Sequence, residues 1–119
     1  MDKWQALQTF WSSFGITAYD ENTVPDNAPY PHITYTASTA GLDEAVFLTA
    51  SLWYRSNSWA GISQKAEEIA EYIGGGSSVV YDTGRLWITK GVPFAQRMPE
   101  ESDLQVRRMV LQVNAEFHQ

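Results

Sequence analysis

The sequence predicts an α+β domain: an antiparallel sheet of about five strands with two helices packed on it, in the order α-β-β-α-β-β-β. Three observations carry this reading. Apolar residues recur at three- and four-residue spacings in only two segments, they alternate at every second position in several others, and the alternating segments come in pairs joined by short turns. Paired strands favour antiparallel ladders, and two helices are too few to cover both faces of a doubly wound parallel sheet. With 119 residues the chain is a single domain over residues 1–119, long enough to bury a core without staples.

Asp2 caps the first predicted helix, and Gln5 three residues on completes a capping box. Trp4, Leu7, Trp11 and Phe14 then form one apolar stripe until Gly15 stops it, which sets the helix at residues 3–14. Residues 17–31 carry Asp20, Glu21, Asn22, Asp26 and Asn27 with prolines at 25, 29 and 31, the composition of a long extended loop. In residues 32–38, Ile33, Tyr35 and Ala37 alternate with polar neighbours, and in residues 46–55 Val46, Leu48, Ala50, Leu52 and Tyr54 alternate with Phe47, Thr49, Ser51, Trp53 and Arg55. Both are strands with two unlike faces, and the link at 39–44 suits a hairpin.

Asn57 or Ser58 caps the second helix, which places Trp59, Ile62, Ala66, Ile69, Ala70 and Ile73 on one face and ends in Gly74-Gly75-Gly76. Val79, Val80 and Tyr81 open a third strand, Asp82-Thr83-Gly84 turns, and Leu86 with Ile88 marks the inward side of a fourth. Residues 91–103, with Pro93 and Pro99, are expected to be loop. Met109, Leu111, Val113, Ala115 and Phe117 alternate through a long last strand, expected at the sheet edge. There Arg107 and Arg108 project to opposite faces, so only one of them joins a core-facing pair.

The formal charge is −6, and residues 1–71 carry all of the excess, with nine acids against three bases. That balance argues against a phosphate-gripping surface. The absence of cysteine excludes disulfides, thiolate metal sites and a thiol nucleophile. No basic-then-apolar leader opens the chain and no apolar run spans a membrane, so a soluble protein made in the cytoplasm is expected.

Candidate chemistry is sparse. His32 and His118 stand alone, without metal-ligand spacing, and read as structural. The Gly74-Gly75-Gly76-Ser77-Ser78 run follows a helix, precedes a strand and lacks the lysine of a phosphate loop, so it is a helix stop. Glu67, Glu68 and Glu71 occupy the polar side of the second helix. The other acidic groups, Asp43-Glu44 and Glu100, Glu101 and Asp103, fall in loops and read as solvated, although paired carboxylates could serve a hydrolase. The 16 aromatic residues exceed what one small core takes up with its polar atoms satisfied, so aromatic surface around Trp53, Trp59 and Trp87 is expected. Such a face stacks on sugars, or is covered by a second layer or another subunit.

Leu52-Trp53-Tyr54-Arg55, a capped helix ending in a Gly run, Asp82-Thr83-Gly84-Arg85-Leu86-Trp87-Ile88, Gly91-Val92-Pro93-Phe94-Ala95-Gln96 and a terminal strand ending Asn114-Ala115-Glu116-Phe117 together resemble the tail terminator (tail completion, minor capsid) proteins of long-tailed bacteriophages and prophages. The resemblance covers about the last two-thirds of the chain; the first 30 residues match no motif. It implies a structural, non-enzymatic virion protein whose copies form a ring, typically a hexamer, that caps the tail tube and meets the head-completion (neck) proteins. It brings no cofactor, metal or catalytic residue. On that reading Trp53, Trp59, Phe94 and Gln96 are candidates for the subunit or tail-tube interface. Asp43, Glu44, Glu100, Glu101 and Asp103 are candidates to line a channel through which DNA passes without specific binding. The rival readings are a small aromatic-rich carbohydrate-binding module and a small hydrolase.

Overall fold

A computed structural model describes residues 1–41, 44–100 and 102–119. The elements are α1 (Lys3–Trp11), a 3-10 turn (Ser12–Phe14), β1 (Thr17–Asp20), β2 (His32–Tyr35), β3 (Ala45–Arg55), α2 (Ala60–Ile73), β4 (Ser77–Tyr81), β5 (Gly84–Met98) and β6 (Val106–His118). The strands form one sheet in the order β1-β2-β3-β6-β5-β4.

Three expectations are corrected. The sheet has six strands and is mixed: β1 lies inside the segment read as loop and pairs in parallel with β2, Thr17 opposite His32 and Asp20 opposite Tyr35. The order is therefore α-β-β-β-α-β-β-β. A four-residue strand is too short to show an alternation, and a tertiary contact steadies this one, because the Gln8 side chain donates to the Ala18 carbonyl at 2.9 Å and accepts from the Tyr35 hydroxyl.

Secondly, residues 91–98 are strand. The register passes from Lys90 opposite Val113 to Ala95 opposite Leu111, so residues 91–94 bulge out against one residue of the partner, and the bulge admits Pro93, which has no N–H to donate. Val92 at its tip is 94% exposed. Thirdly, β6 is central, with β3 on one side and β5 on the other.

The helices form as their sequences dictate. Asp2 accepts from the Gln5 N–H at 2.8 Å while the Gln5 side chain accepts from the Asp2 N–H, and Gly15 closes the 3-10 turn in the left-handed region. Ala6, Leu7, Phe10, Trp11 and Phe14 are buried, whereas Trp4 is 42% exposed with its ring 6.1 Å from that of Phe117. At α2 the N-cap is Trp59, without a side-chain capping bond, and not Asn57 or Ser58 as expected; the Ser58 hydroxyl, one residue earlier, accepts from the Ala60 N–H at 3.1 Å, and Ile62, Ala66, Ile69 and Ile73 are buried. Glu67, Glu68 and Glu71 face solvent as expected.

Both helices pack on one face of the sheet. Leu48, Ala50 and Leu52 of β3, Leu86 and Ile88 of β5, and Met109, Leu111, Val113, Ala115 and Phe117 of β6 join the helical residues in a single core. Each fully buried Leu or Ile contributes about 1.5–3 kcal/mol. α1 also ties the two sides of the sheet together. The Met1 amino group meets the Asp82 carboxylate at 2.6 Å in the β4–β5 turn, and Gln8 holds β1. Some seven residues of helix span about 10 Å, against about 24 Å for six strands laid flat, so the sheet curls around α1.

The other sheet face carries no helix. It presents His32, Thr34, Ser51, Trp53, Trp87, Gln96 and Arg108, and residues 21–31 fold as a strap across its β2–β3–β6 end.

Candidate interaction surface

The aromatic and basic residues singled out in the sequence meet at one end of the sheet, where β3 and β5 finish and β6 begins. Strand alternation divides them between its faces.

On the outer face, His32, Trp53 and Arg108 form a row across three strands, each opposite the next. The imidazole lies nearly parallel to the indole, 16° between planes and 6.2 Å between centroids, and the Arg108 guanidinium lies 4.9 Å from the centroid of the Trp53 ring. Trp53 donates its indole N–H to the Thr34 hydroxyl at 2.9 Å, and Arg108 donates Nε–H to the Ser51 hydroxyl at 3.1 Å. Both side chains are thereby fixed. His32 is buried; its Nδ1 lies 3.1 Å from the Pro29 carbonyl, which only accepts, so Nδ1 carries the proton. Burial holds its pKa below 6.5, with the Pro29 contact opposing, so the ring is neutral. Tyr19 and Tyr30 pack against this imidazole.

On the helix face, Trp59 at the start of α2 lies 4.9 Å from the Arg97 guanidinium and 5.4 Å from that of Arg107. Arg107 donates to the Leu104 carbonyl at 2.7 Å and to the Asn57 carbonyl at 3.3 Å, joining the loops before β6 and α2. Its Nε is buried without a partner. Between α2 and β5 a groove of about 410 Å³ has Ala66, Phe94 and Met109 on its floor and Glu67 and Arg97 on its rims.

Of the four expected interface residues, Trp59 and Phe94 thus share the surroundings of Arg97, while Trp53 and the exposed Gln96 lie on the opposite face. The acids do not form one cluster. Glu44, at the start of β3, accepts from the Gly41 N–H. Asp103 lies at the far end of that eleven-residue strand, about 35 Å away along it, and pairs with Arg55 at 2.9 Å. The Gln105 N–H, and then Arg55, hold the Asp103 carboxyl below its usual range. Glu100 accepts from Ser102 close to that end. Asp43 and Glu101 lie outside the described residues.

Among the described residues no group of three metal-ligating side chains occurs, and no described helix is long and apolar enough to cross a membrane. Residues 21–31 are extended and irregular, as the prolines at 25, 29 and 31 predict, but nothing in the sequence marks the sheet face that they cross.

A chain of the virion of native gene transfer agent (GTA) particle superposes on this chain with a TM-score of 0.61 at 18% identity, covering 99% of this chain and 87% of that one. The two share a fold. No family model and no curated protein sequence matches.

Proposed function

We propose that the chain is a structural virion protein, without catalytic activity, that assembles as a ring on the end of a phage-type tail tube and forms the joint to the neck proteins. The observation that carries this reading is the end-to-end fold likeness to a chain of a phage-like particle. It accords with the resemblance of residues 52–117 to the tail terminator proteins. Copies meet through the Arg–Trp end, with Trp59 and Phe94 on one face and Trp53 and Gln96 on the other. An exposed bulge at Val92 and a ridge of stacked cations are the kind of surface an interface covers.

If strands run along the channel axis, Glu44 stands at one mouth and Glu100 and Asp103 at the other, with Asp43 and Glu101 beside them in sequence. The Glu44 rim repels phosphates weakly, so a duplex passes it without sticking, whereas at the other mouth Arg55 pairs with Asp103, and Arg97, Arg107 and Arg108 offset the acids. Deleting the gene from a producing particle tests the role: the expected phenotype is filled heads lacking tails beside tails of irregular length. Normal, joined particles would sink the proposal.

A further inference from the structure

The strap of residues 21–31 and the outer sheet face enclose an open cleft of about 390 Å³, within the size range of binding pockets. Its sheet wall is Thr34, Ser51, Trp53 and Arg108, its inner end is His32, and Tyr30, Glu21 and Asp26 belong to the strap. Arg108 supplies the one charged group on the sheet wall, and the two hydroxyls beside it each accept a hydrogen bond from a wall side chain. Thr34 is taken by the Trp53 indole, and Ser51 accepts from Arg108 Nε. The two terminal nitrogens of Arg108, which lines the cleft, have no carboxylate within ion-pair distance among the described residues.

A guanidinium locked by a hydroxyl on Nε and an indole on its face presents its free edge in one direction, the arrangement that receives a carboxylate in a two-pronged contact. We propose that this cleft is a docking site for a partner polypeptide, which lays an extended segment between strap and sheet and places a Glu or Asp side chain on Arg108. The charges on the facing wall decide between polypeptide and nucleic acid. Glu21 and Asp26 are themselves without basic partners among the described residues. A phosphate backbone would set further negative charge against them. A peptide, by contrast, carries backbone N–H donors beside its one carboxylate, which Glu21, Asp26 and the accepting Nε2 of His32 can meet. The site deepens the virion reading: the partner segment covers Trp53 in place of a neighbouring copy, and the cleft is complete within one chain, so it does not require a ring.

The test is a titration followed by 1H–15N NMR, using two blocked tripeptides, acetyl-Ala-Glu-Ala-amide and acetyl-Ala-Gln-Ala-amide, that differ only in one charge. The expected result is saturable movement of the Arg108 Nε–H and Trp53 indole N–H signals with the Glu peptide, and binding about tenfold weaker with the Gln peptide. Arg108→Gln abolishes the response. Should that variant unfold, Arg108→Lys keeps the charge without the fork and weakens binding severalfold. Equal binding of the two peptides, no binding of either, or persistence of the Glu response in Arg108→Gln would overturn the proposal. So would a short single-stranded oligonucleotide that moves the same signals at lower concentration than the Glu peptide. A ring that forms while both peptides fail to bind removes this site and leaves the assembly reading intact.

Discussion

Arg107 and Arg108 lie back to back through the sheet, Arg107 5.4 Å from the ring of Trp59 on the helix face and Arg108 4.9 Å from that of Trp53 on the outer face. Two consecutive residues thus brace two tryptophans that belong to different layers. The end of the sheet becomes a rigid ridge with a cation on either side.

The ridge is expected to separate assembly from folding. Trp59→Ala removes a half-buried ring that holds two guanidinium groups, and at the centre of an interface such a truncation costs about 2 kcal/mol or more of association. Sedimentation should show the variant as smaller species, while circular dichroism retains the parent's secondary structure. A variant that folds and assembles like the parent removes Trp59 from the interface.

Gly76 fills a position that no other residue fits. Its φ is +148°, and a Cβ there would overlap the Trp87 indole. Gly76→Ala combines backbone strain of about 1–3 kcal/mol with overpacking of similar size. Urea denaturation should therefore show a loss of about 2 kcal/mol or more, and a loss under 0.5 kcal/mol would contradict this packing.

Gln8 joins α1 to both β1 and β2 through Ala18 and Tyr35. Gln8→Ala strands a carbonyl and a half-buried hydroxyl, at a cost of about 1–3 kcal/mol. Tyr35→Phe removes only one partner of the pair, so it should cost less. Hydrogen exchange should show the amides of β1 opening first in both variants. Unchanged protection of β1 in Gln8→Ala would mean that the strand does not depend on this link.

His32 confers a pH dependence whose sign is fixed. Its pKa is lowered in the folded state, so below 6.5 the unfolded chain binds the proton more readily and stability falls as pH drops, levelling off once the folded-state pKa is passed. His32→Phe keeps a ring against Trp53 and removes this titration. The stability difference between parent and variant should shift in the parent's disfavour from pH 7 to pH 5; a constant difference would show that His32 is not held neutral.

Much of this architecture was legible in the residues themselves. The alternation from Met109 to Phe117 and the stripe from Ile62 to Ile73 each define their own buried face, because period and burial coincide. The two segments read as loops were obscure for different reasons. Thr17–Asp20 is too short to carry a period, and its partner is set by α1 through Gln8. In β5 the breakers Gly91 and Pro93 sit in a bulge, so they interrupt the register without ending the strand. The opposite facing of Arg107 and Arg108 followed from alternation, but their indole partners did not. Trp53 meets Arg108 only through the β3–β6 register, a pairing between residues far apart in sequence.

The central claim is that copies of this chain close into a ring. The mass of the purified protein in solution, measured by light scattering across a range of concentrations and paired with electron micrographs of the same sample, tests it most directly. The account predicts a closed oligomer of 13.4-kDa copies, six being the expected number, seen as rings with a central hole. A mass of 13.4 kDa at every concentration, and still none but single copies when purified tail tubes are added, would contradict it.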